Sequence, residues 1–79
     1  MPFASVTVLN EHTQKPTIIH SIEEAAEFIL FDWPIVPGGL ITSARQACLD
    51  ALQGKVADEI VRDLFIAAAR EAGILISTA

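Results

Sequence analysis

The residues of this chain able to carry chemistry are few and scattered: Cys48 is the one cysteine, His12 and His20 are the histidines, and Glu23, Glu24, Glu27 and Asp32 form an acidic run. A cysteine becomes a nucleophile or redox sensor when a neighbouring cation or a helix N-terminus lowers its pKa. Cys48 has no adjacent cation and falls at helical spacing between Ala44 and Ala51, which marks it as a packing thiol. His12 and His20, even with Glu11 nearby, do not complete the four-ligand set of a structural zinc site. Paired carboxylates do acid–base work when burial drives their pKa values apart. The acidic run instead lies along the exposed face of a helix, with Glu24 committed to capping it. Thr42 and Ser43 lack the context of a nucleophile elbow and read as caps for a later helix. Pro37-Gly38-Gly39 lacks the spacing and the following lysine of a phosphate-binding loop, and reads as a turn. The expectation is a protein without catalytic residues, cofactor or metal.

Composition narrows the class further. A chain of 79 residues makes one domain, and a domain this small buries only about 60% of the surface its unfolded chain exposes. With one cysteine and two histidines, neither disulfides nor a structural metal can supplement the core, which leaves oligomerisation. The hydrophobic share of 52% argues against disorder. Ten acidic residues against five basic ones give a net charge of −5, which disfavours nucleic acid and anionic lipid surfaces as partners. The N-terminus lacks the basic and apolar regions of a signal peptide, and no stretch approaches the roughly 20 apolar residues of a membrane span, so a cytoplasmic location is expected.

The elements that must position these residues follow from periodicity and caps. Ser5 to Leu9 and Pro16 to His20 are β-rich runs separated by the polar Asn10 to Lys15, which predicts a hairpin with a loose tip. Ser21 followed by Glu24 is a capping box that opens the first helix, in which the carboxylate should reach back to the N–H of Ser21. Pro34 disfavours helical geometry at Trp33 and ends that helix near Phe31 to Trp33. Ile35 to Gly39 is a loop. A second helix is expected over Thr42 to Gln53, with Ala44, Ala47, Cys48, Ala51 and Leu52 inward and Gly54 terminating it. A third runs over Val56 to Ala72, supported by an Asp58–Arg62 pair and ended by Gly73, with Ile74 supplying the apolar contact of the cap. Ile74 to Ile76 should form a third strand buried against the hairpin. The fold class is therefore α+β: an N-terminal β-hairpin, three helices and a short C-terminal strand completing a small antiparallel sheet, in a single domain over residues 1–79.

Against this pattern, three large apolar residues stand on faces meant for water. At about 100° per residue, the first helix gathers Ile22, Ala25, Ala26, Ile29, Leu30 and Trp33 on one side, while Phe31 lands between Glu24 and Glu27. Ile66 sits amid Glu59, Arg62, Asp63 and Arg70 on the third helix, and Leu49 is off pattern on the second. Burying one such side chain contributes about 1.5–3 kcal/mol. The expected function is a non-enzymatic interaction module that forms a homodimer, or docks to an unknown protein partner, through Phe31, Leu49, Ile66 and Trp33. The alternative is a regulatory domain that holds a small apolar ligand near Trp33. A helix-turn-helix built from the second and third helices is disfavoured, because Asp58, Glu59 and Asp63 occupy the outer positions where contacts to DNA need donors.

Four segments together resemble a known family: Ser21 to Leu30, Trp33-Pro34, Ala47 to Gly54 and Phe65 to Leu75. Their order and spacing are similar to those of the short alpha-proteobacterial proteins grouped as domain-of-unknown-function family nine hundred eighty-two. The resemblance covers nearly the whole chain. It implies a free-standing bacterial protein with the hairpin-then-helices layout, and it brings no activity with it.

Overall fold

The computed structural model describes residues 2–34 and 38–78. Six elements follow in order: β1 (Pro2–Asn10), β2 (Lys15–Ser21), α1 (Ile22–Phe31), α2 (Leu40–Leu52), α3 (Asp58–Ala72) and β3 (Leu75–Thr78). The α+β architecture is the expected one. β1 lies at the centre of a three-stranded antiparallel sheet of order β2-β1-β3, so β2 and β3 are both edges. Alternation along the strands puts Val6, Val8 and Ile19 on the inner face, all buried. α1 packs on β2, α3 packs on β1 and β3, and α2 packs on those two helices. Around this arrangement Ile22, Phe28, Val61, Phe65 and Ile74 complete the core. No helix among the described residues is long and apolar enough to cross a membrane.

The hairpin tip is not loose. Asn10 is 7% exposed, and its Oδ1 accepts from the N–H groups of His12 (2.9 Å) and Thr13 (3.3 Å), an Asx-type turn that satisfies donors a polar tip would otherwise leave to water. Gln14, at φ 61°, returns the chain into β2.

Ser21 caps α1 as expected, its Oγ accepting from Glu24 N–H at 3.1 Å. The reciprocal arm differs: the Glu24 carboxylate accepts from His20 N–H at 2.7 Å, one residue before the cap. At the start of α2 the expectation fails outright. The helix begins at Leu40 behind Gly39, Thr42 and Ser43 lie inside it, and no side chain of its own caps it. Glu71 of α3 does so instead, its Oε1 accepting from Leu40 N–H at 3.1 Å. Both glycine stops hold. Gly54 (φ 75°) and Gly73 (φ 74°) are left-handed, and each closes a Schellman motif, with Lys55 N–H to Asp50 O at 2.8 Å and Ile74 N–H to Ala69 O at 3.0 Å.

β3 also departs from expectation. Ile74 is the buried residue because it completes the cap of α3, whereas the strand starts one residue later and leaves Ile76 51% exposed on the sheet edge. Ile35, Val36 and Pro37 of the expected loop lie outside the described residues.

Candidate functional site

The four residues singled out from the sequence do not form one patch. Trp33 follows α1 and is half-buried. Its ring packs edge-on against Phe28 (centroids 5.9 Å apart) and Phe65 (5.7 Å), and those two rings also meet edge-on at 6.2 Å. Such pairs are worth about 0.5–1.5 kcal/mol beyond their area. Trp33 thus staples the end of α1 to α3. Ile66 corrects the expectation of a water-facing residue: it is partly buried and packs against the core. The reason is tertiary. One turn earlier Arg62 donates from Nε to the Ala4 carbonyl at 2.8 Å, which brings this flank of α3 against β1. Phe31 is 74% exposed, one turn beyond Glu27, and Leu49 is 49% exposed.

Two residues assigned inward from their spacing turn outward: Leu30 at 66% and Leu52 at 52% exposure. Leu30 occupies the last turn of α1, where the core is already filled by Phe28, Phe65 and Trp33. It lines one groove together with Leu49. Ala26, Ile29, Leu30, Arg45, Cys48 and Leu49 line a groove of about 120 Å³ between α1 and α2. The small side chains Ala26 and Cys48 make room for it, and Leu30 and Leu49 form its lips. Arg45 is the one charged residue lining it.

Cys48 is 1% exposed, and burial pushes its thiol up to about 11, away from the thiolate that nucleophilic or redox chemistry requires. His20 Nδ1 lies 3.3 Å from Glu24 Oε1 on the surface, while His12 is held in the hairpin turn by its backbone N–H, which donates to Asn10 Oδ1. Among the described residues no group of three or more His, Cys, Asp or Glu side chains converges as a metal site would need. A second, wider cleft between α2 and α3 is bordered by Gln46, Asp50, Val56, Ile60 and Leu64, with Ile60 47% exposed.

The sequence missed Leu30 because its position on the helical wheel favours burial, and only the end of α1 at Phe31 with the packing beyond it turns the side chain out. No curated protein and no solved structure matches this chain. One family model does, over residues 4–76, a span that runs from within β1 to within β3 and includes all three helices and both lips of the groove. The chain belongs to the family described as Protein of unknown function (DUF982).

Proposed function

We propose that this protein is a non-enzymatic interaction module that self-associates through the face formed by α1 and α2. The observation that carries this reading is the apolar groove whose lips, Leu30 and Leu49, are both about half exposed or more. Its volume is comparable to the roughly 150 Å³ void left when a core leucine is trimmed, so it has room for one aliphatic side chain from outside. In a two-fold interface the same patch meets itself, and Leu30 or Leu49 of each copy would enter the other's groove. Leu52, one turn beyond Leu49, extends the covered area. A small apolar ligand beside Trp33 is the weaker reading, because Phe28 and Phe65 already pack against that ring.

Light scattering coupled to size exclusion tests the reading. The wild type at micromolar concentration is expected at twice the monomer mass, and Leu49→Glu or Leu30→Glu at the monomer mass with unchanged far-ultraviolet circular dichroism. A monomeric wild type, or variants that remain dimeric, would exclude this face. Ile66→Glu is unsuitable as a probe, since that side chain packs against the core.

A further inference from the structure

We propose that the cleft between β2 and α1 is a docking groove for a basic, extended segment of another protein, which pairs with the free edge of β2 and sets lysine or arginine side chains over Glu27 and Asp32. Three features meet there. The first is an open edge: the strand order leaves one side of β2 without a neighbour. His20 N–H points to that side, donating to Glu24 Oε1 rather than to β1, and since backbone groups alternate along a strand, Ile18 presents its N–H and C=O there too. The second is a cleft of about 100 Å³ whose apolar floor includes Ile18, Ile19 and Phe28 and whose rim carries Glu24, Glu27 and Asp32, with no basic residue lining it.

The third is an electrostatic imbalance in α1. Helices favour cations at their C-terminal end. α1 has no basic residue in its last turn and carries Asp32 at its C-cap. Glu24 has His20 beside it, but the carboxylates of Glu27 and Asp32 have no ion-pair partner among the described residues. An incoming cation would offset both the carboxylates and the helix dipole. Ile18, which lines the cleft and is 51% exposed, offers apolar contact to the uncharged residues of such a segment. Together these are the parts of strand addition to a sheet edge, in which main-chain bonds give affinity and side-chain pockets give selectivity. A second copy is a poor occupant, because Lys15, Arg45, Lys55, Arg62 and Arg70 are spread over the chain and form no basic strand.

The probe is a fluorescein-labelled, amidated peptide Lys-Val-Lys-Thr-Lys-Val-Lys, followed by anisotropy at low and moderate salt. Saturable binding is expected that weakens with salt, falls at least tenfold when proline replaces the valines and threonine, and falls at least tenfold in Glu27→Lys/Asp32→Lys. The pair Glu59→Lys/Asp63→Lys on α3 makes the same change in net charge and should alter binding less than threefold. Amide shifts on titration should fall at Thr17, Ile18, Phe28 and Asp32, and binding should survive Leu49→Glu, which separates this groove from the α1–α2 face. No saturation up to millimolar peptide, equal binding of the proline peptide, or equal losses in the two charge pairs would overturn the proposal.

Discussion

Cys48 illustrates how one residue's type misleads until its surroundings are known. A lone thiol invites a redox reading, but this one sits on the inner face of α2 at 1% exposure, beneath the α1–α2 groove, and its pKa is raised from 9.0 to about 11 by burial. The unfolded state therefore loses the thiol proton at lower pH than the folded state. Between about pH 9 and 11 the unfolded state binds fewer protons, so stability present below pH 9 is lost as pH rises through that window. Denaturant midpoints measured from pH 8 to 11 should fall more steeply for the wild type than for Cys48→Ala. At pH 8, alkylation by iodoacetamide should be at least a hundredfold slower in buffer than in strong urea, because only the opened chain exposes the thiolate; a native rate near the unfolded one would show that the groove floor is open to solvent. The burial of Cys48 was legible from its spacing with Ala44 and Ala51. The burial of Ile66 was not, because it depends on β1 reaching α3, which no local pattern encodes.

At the scale of elements, caps made within a turn were legible at Ser21, Gly54 and Gly73, whereas Thr42 and Ser43 misled and a cap made from a distant residue was invisible. Ser21, Gly54 and Gly73 marked their helix ends because each cap is made with residues within a turn. α2 is different: its first turn has no acidic residue, and its orphan Leu40 N–H is met by Glu71, 31 residues away. That carboxylate also complements the positive end of the α2 dipole. Gly38, at φ 152°, leaves the space Glu71 needs, since a Cβ there would collide with the carboxylate. Glu71→Ala should lower stability by about 1 kcal/mol, the usual cost of losing a cap, and Glu71→Gln by less because an oxygen acceptor is kept. Gly38→Ala should cost more than Glu71→Ala, for both backbone conformation and collision. Urea unfolding with Ser21→Ala as the local-cap reference checks the series. If Glu71→Ala matched the wild type, the cap would be a contact without energetic weight.

For the whole molecule the decisive quantity is how the exposed apolar surface relates to a small core. The α+β layout was legible because strands, caps and helix lengths are written in short windows, whereas the Leu30–Leu49 groove arises only when α1 and α2 dock. A domain of this size is marginal alone, so covering that groove with a second copy should appear as stability. For a folded dimer unfolding to monomers, a hundredfold rise in concentration adds about 2.7 kcal/mol per dimer, or roughly 1.4 per chain. At about 4–8 °C per kcal/mol for domains of this length, Tm should climb by roughly 5–10 °C across that range. Leu49→Glu should give a Tm that does not change with concentration, because its unfolding is unimolecular. A wild-type Tm equally flat from micromolar to hundreds of micromolar would mean that the groove contributes nothing to self-association, and would leave the β2–α1 cleft as the recognition surface to pursue.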